Sequence, residues 1–135
     1  MLIDPALLAP AERLAQIPLQ LEADKALGVA DIAAANPRWH PRTVEARVEA
    51  TRAADAEAVR SWLADNSPWD VTASAAQVTV PVSVLVATSD SAVAPFLVEQ
   101  VPAANPLWSF EEVPDTAHSV HRDAPALVLE RLLAR

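Results

Sequence analysis

Cysteine is absent from the 135 residues, which excludes disulfides, thiolate chemistry and cysteine-ligated zinc together. Glycine is nearly as scarce: Gly28 stands alone beside 12 prolines. Tight turns and close backbone approach normally rest on several glycines, so a G-x-S-x-G turn around a nucleophile has no place in these residues. No apolar run is long and charge-free enough to predict a membrane span. No basic n-region precedes an apolar h-region, so the expected location is the cytoplasm. Positive charge is in the minority, with 10 Lys and Arg against 18 Asp and Glu for a net charge of −8. That balance argues against nucleic acid or an acidic membrane as a partner. Internal repeats and low-complexity tracts are missing too.

What is present suits one domain of 135 residues, 52% hydrophobic, long enough to bury a core. The most informative stretch runs from Val80 to Asp123 and reads strand, acidic turn, helix, strand, histidine loop. Val82, Val84, Leu85, Val86 and Ala87 form a near-continuous apolar run, the pattern of a parallel strand buried on both faces. Thr88-Ser89-Asp90 supplies a polar turn at its carboxyl end. A second strand is predicted over Leu107 to Val113, followed by a loop with His118 and His121. Ligands of open α/β sheets collect outside the carboxyl ends of the strands. The expected fold class is therefore α/β, with a carboxylate and an imidazole on one edge of a short parallel sheet.

The rest of the chain reads as helical. Apolar spacing predicts helix from Pro10 to about Ala35, with Gly28 as a stop and Val29 to Ala35 as a short second helix. His40-Pro41 opens a helix with Val44, Val48 and Thr51 along one stripe, and Glu45, Glu49, Arg42, Arg47 and Arg52 on a solvated face. Asp55 caps the next helix, where Val59, Trp62 and Leu63 have core spacing. Between Pro5 and Gln77 no strand is predicted. At the far end, Asp123 is the expected N-cap of a closing helix. That helix would turn Leu127, Val128, Leu132 and Leu133 inward and Glu130, Arg131 and Arg135 outward.

PVSVLVATSD followed by TAHSVHRDAP resembles the last two strands of the α/β-hydrolase family. In that family an acid sits in the turn after the first of these strands, and the catalytic histidine lies in a G-x-G-H-x-x-x-x-x-x-P loop. Three of the family's positions differ here: Asp115 and Ala117 stand where glycines precede the histidine, and Thr88 where a glycine follows the strand. LIDPAL resembles the end of the family's sixth strand, just before a cap insertion, and the WD-then-VPV join resembles the return from cap to core. The resemblance implies a partial α/β-hydrolase fold: 1–4 the end of a core strand, 5–79 a helical cap, 80–135 the C-terminal core. It implies His118 as general base and Asp90 as the acid that orients it, with Asp4 as the alternative acid.

The implied reaction is hydrolysis of an ester or related acyl bond in a small apolar substrate, with no cofactor. Trp39, Trp62, Trp69 and Trp108 are candidates for core packing or for lining such a pocket. No serine here has an elbow context, so the nucleophile, Ser or Asp, would lie outside these residues and the chain alone would be inactive. His40 is expected at a helix start, and the three histidines lack the spacing of a metal site. The alternative reading is a non-enzymatic acidic interaction module.

Overall fold

A computed structural model describes residues 1–134; the expected outward position of Arg135 lies outside the described residues. The chain divides into two compact units, one made of Met1–Ala9 with the chain from Asp70 onward, the other of Pro10–Trp69.

The first unit is built on a three-stranded parallel sheet of Leu2–Ile3 (β1), Val82–Ala87 (β4) and Trp108–Val113 (β5), ordered β1-β4-β5. Leu2 pairs with Val84, and Val82 through Ala87 pair in register with Trp108 through Val113. The apolar run of β4 has the predicted cause: Val84, Leu85, Val86 and Ala87 are all buried. Their alternation splits them between two cores. Val84 and Val86 pack with Leu97, Val101 and Trp108, which places helix α6 (Leu97–Ala104) on one face. Leu85 and Ala87 pack with Val113, Val120 and Val128, which brings α7 (Val120–Asp123) and α8 (Pro125–Leu133) to the other. Burying each of these valines and leucines stabilises by about 1.5–3 kcal/mol.

Asn105 ties the entry to β5 onto the segment before β4. Its Nδ2 donates to the carbonyl of Val78 at 2.8 Å, and its Oδ1 accepts from the Leu107 amide at 3.1 Å. Trp108 is buried, and its Nε1 donates to the carbonyl of Ala75 in the short helix α5 (Thr72–Ala75).

Among the described residues three non-glycine residues have positive φ, and all are aspartates in the turns that follow the parallel strands: Asp4 (42°) after β1, Asp90 (46°) after β4, Asp115 (57°) after β5. Aspartate tolerates the left-handed region better than most residues, because its short side chain can hydrogen-bond locally. It supplies the turns that glycine would normally make. Gly28 itself has φ of −102° and starts a helix rather than stopping one, its amide donating to Asp31 Oδ2.

The second unit is helical: α1 (Ala11–Asp24) packs on α4 (Ala56–Asp65), and α2 (Val29–Ala35) on α3 (Pro41–Ala53). Val44, Val48 and Thr51 are buried as their stripe predicts, and the Asp55 carboxylate caps α4 by accepting from the amides of Glu57 and Ala58.

Besides Gly28, four local expectations need correction. Leu8–Ala9 (β2) and Trp69–Asp70 (β3) form a two-stranded sheet where no strand was predicted, since two residues carry no periodicity. Trp62 is exposed and meets Trp69 at 6.2 Å between ring centroids. In α8, Val128 is buried but Leu132 and Leu133 are exposed. Asp123 does not cap α8; the cap position is Ala124, and Asp123 accepts from the Ala117 amide instead.

Candidate active site

The carboxyl ends of all three parallel strands meet at one carboxylate. Asp4 follows β1, its amide donating to the carbonyl of Leu85 in β4 at 2.7 Å. The left-handed backbone there carries its side chain across the end of β4, where it is fully buried. Oδ1 accepts from the amide of Ala87 at 3.0 Å and from Ser91 Oγ at 2.6 Å. Oδ2 accepts from the amide of Ala92 at 2.7 Å and pairs with His118 Nδ1 at 2.8 Å.

Burial by itself would push the Asp4 carboxyl up, but the hydrogen bonds from Ser91, Ala92, His118 and Ala87 together outweigh it and hold the group below the usual carboxylate range. An ionised carboxylate only accepts, so the ring nitrogen facing it carries the proton. With Nδ1 as donor, Nε2 of neutral His118 keeps its lone pair. The His118 side chain is 58% exposed while Asp4 is 0% exposed, so the buried acid holds an imidazole whose other end faces outward.

The loop bearing His118 is fastened on both sides. Thr116 is fully buried, its Oγ1 donating to the Val113 carbonyl at 2.7 Å. Its own carbonyl accepts from both the amide and the hydroxyl of Ser89, each at 3.0 Å. Ala117 donates its amide to Asp123 Oδ2 at 2.8 Å, and Val120 anchors the far side in the core. The turn after β4 and the turn after β5 are thus bonded to each other directly.

Of the predicted acid candidates, Asp4 is the one joined to His118. Asp90 is exposed, and no hydrogen bond or ion pair joins it to His118. In the turn after β4 the inward bonds are made by its neighbours Ser89 and Ser91 instead. His121 is exposed, and desolvation, then the nearby charge of Arg122, push its imidazole down against a smaller opposing pull from Asp123. His40 caps α3, its Nδ1 accepting from the Arg42 amide at 3.2 Å. Among the described residues no group of three or more His, Asp or Glu is arranged to hold a metal ion.

Ser91 is the functional candidate that sequence reasoning overlooked, having weighed serines only as nucleophiles. Its one signal was adjacency to the polar turn at the end of β4.

No protein-family model matches this sequence, and no curated protein sequence matches it. Solved structures do. The N-formylmaleamic acid deformylase from Pseudomonas putida S16 matches with a TM-score of 0.68 at 18% identity, over 96% of this chain and 54% of that one. E-2-(acetamidomethylene)succinate hydrolase matches with a TM-score of 0.70 at 17% identity, over 96% of this chain and 53% of that one. Both are α/β-hydrolase fold enzymes, and the chain spans about half the length of each. At this identity the likeness is one of fold, and it extends over nearly all of the sequence: the chain has part of the α/β-hydrolase fold, with its short parallel sheet and helices.

Proposed function

We propose that this chain supplies the acid and the histidine of a hydrolase that cleaves an ester or related acyl bond in a small apolar substrate. His118 is the general base and Asp4 the carboxylate that orients it. The helical unit Pro10–Trp69 is assigned to the cap of such an enzyme. The observation that carries this reading is the 2.8 Å pairing of His118 Nδ1 with a fully buried Asp4 that accepts three further hydrogen bonds. A carboxylate so held keeps its charge and fixes the tautomer of the ring.

In this scheme Nε2 of His118 takes the proton as the nucleophile attacks the acyl carbon, and the resulting imidazolium is stabilised by Asp4. The same proton then passes to the leaving group, and water hydrolyses the acyl intermediate by the reverse sequence. The names of the two fold neighbours fit an acyl reaction, since a formyl group and the acetyl part of an acetamido group are both acyl groups. An open groove lined by Val86, Ala87, Val93 and Val98 shares Ala87 and Ser91 with the hydrogen-bond set of Asp4, and Glu99 and Glu112 also line it. Such a lining favours an apolar, non-anionic substrate.

The nucleophile is assigned to polypeptide outside these residues, because a sequence with one glycine contains no G-x-S-x-G. The outer edge of β1 is the natural place for it. A parallel strand paired there would end beside Asp4.

The test is p-nitrophenyl butyrate hydrolysis by two polypeptides: this chain, and this chain extended upstream through the codons that precede Met1. The expected result is no His118-dependent turnover by the first, and turnover by the second that His118→Ala abolishes. Turnover by the chain alone that His118→Ala removes would overturn the external nucleophile. Turnover by the extended form that survives His118→Ala would overturn the role of His118.

A further inference from the structure

We propose that Ser91 is a positioning residue of the Asp4–His118 pair, its hydroxyl locking the carboxylate in the rotation that aims Oδ2 at the imidazole. This rests on the reading of that pair as the acid–base unit. Two of the four donors to Asp4 are backbone amides, of Ala87 and Ala92. A third is the imidazole being oriented. Ser91 is the side chain left to set the carboxylate independently, and at 2.6 Å it makes the shortest of the four contacts.

Its hydroxyl has one proton and two lone pairs. Ser91 Oγ accepts from the Val93 amide at 3.0 Å, which turns the proton toward Asp4 Oδ1. The four donors divide two by two: Ala87 and Ser91 on Oδ1, Ala92 and His118 on Oδ2. Rotation about the Cβ–Cγ bond would take Oδ2 away from His118, and it requires breaking the Ser91 contact. Removing the hydroxyl takes from Oδ1 the shortest of its contacts, so the carboxylate turns more freely and holds Oδ2 less firmly against the ring. The same hydroxyl braces Val93, which is buried in the core below the turn.

The experiment uses this chain, labelled with nitrogen-15 and observed through the ring nitrogens of His118. In the native protein the Nδ1–H tautomer is expected to give a protected, downfield ring proton. Ser91→Ala is expected to speed its exchange with solvent about tenfold, the factor matching loss of one charge-assisted hydrogen bond, and to mix in the other tautomer. Ser91→Thr, which keeps the hydroxyl, is expected to restore the native signal. Urea midpoints on the same samples separate positioning from stability, because a stability effect alone does not move the tautomer ratio. Should Ser91→Ala fail to fold, Ser91→Cys keeps the side chain's shape with a weaker donor and is read the same way. A native tautomer ratio and exchange rate in both Ser91→Ala and Ser91→Cys, with Asp4→Asn abolishing the signal, would overturn the role of Ser91 alone. A signal that also survives Asp4→Asn would overturn the pair itself.

Discussion

Asp4 and His118 lie 114 positions apart and are joined by a 2.8 Å hydrogen bond. The bond crosses the carboxyl end of β4, the middle strand, so the acid from one outer strand meets the imidazole from the other. Each property of the candidate site follows from that crossing: the burial of the acid, the proton on Nδ1, and the outward-facing Nε2.

The first expectation concerns stability. Asp4→Asn keeps the shape of the side chain but replaces one acceptor oxygen with a donor, facing two donors that remain. It is expected to destabilise the fold by about 2–4 kcal/mol, the range for leaving buried donors unsatisfied. Asp90→Asn, exposed and in a backbone conformation that asparagine also accepts, is expected to stay within about 0.5 kcal/mol of the parent. Urea unfolding of both variants at neutral pH makes the comparison.

A pH dependence follows from the same group. The folded-state pKa of Asp4 is depressed below the ordinary 3.8 despite its burial. Its contribution is present above that value and is lost as pH falls through the folded-state pKa. Glu111, bonded to Arg131, and Asp70, bonded to Thr72, are shifted the same way, but both are solvent-exposed and screened. Urea midpoints measured from pH 6 downward should therefore fall steeply at acid pH in the parent and more shallowly in Asp4→Asn. Parallel curves would remove Asp4 from the account.

Asp115 stands at φ 57° where the hydrolase resemblance leads one to expect glycine. Asp115→Gly is expected to raise stability by up to about 1 kcal/mol, and Asp115→Val to lower it by about 1–2 kcal/mol, because a β-branched residue pays the full left-handed penalty. Thermal melts of the pair would show whether aspartate is a tolerated stand-in at this turn.

The two outer strands of the sheet differ in character. β5 carries Glu111 and Glu112, charges of the kind that discourage edge-to-edge pairing, whereas β1 presents Leu2, which is exposed. Leu2→Lys is expected to reduce light scattering during a thermal melt without changing the far-ultraviolet circular dichroism. If scattering persists unchanged, the β1 edge is not the sticky surface, and the exposed Leu132 and Leu133 of α8 become the place to look.

Much of this fold was legible because its strongest signals are local. Val82 to Ala87 is apolar at every position but Ser83, and that run alone specifies a strand covered on both faces. The helix starts at His40-Pro41 and Asp55 are written in single cap residues. Which aspartate meets His118 was harder to read. β1 is two residues long, too short for any periodicity, and the long-range bonds that select Asp4 over Asp90 depend on which turn residues point inward. The family resemblance pointed to the aspartate in the turn after β4; there Ser89 and Ser91 make the inward bonds and Asp90 is exposed. Asp123 went the same way. A residue with the look of a helix cap is used to hold the histidine loop.

The most direct measurement is the nitrogen-15 spectrum of the His118 ring in the parent, Asp4→Asn and Asp90→Asn chains. The account expects the protonated Nδ1 signal in the parent and in Asp90→Asn, and its loss in Asp4→Asn. A signal that survives in Asp4→Asn and disappears in Asp90→Asn would contradict it.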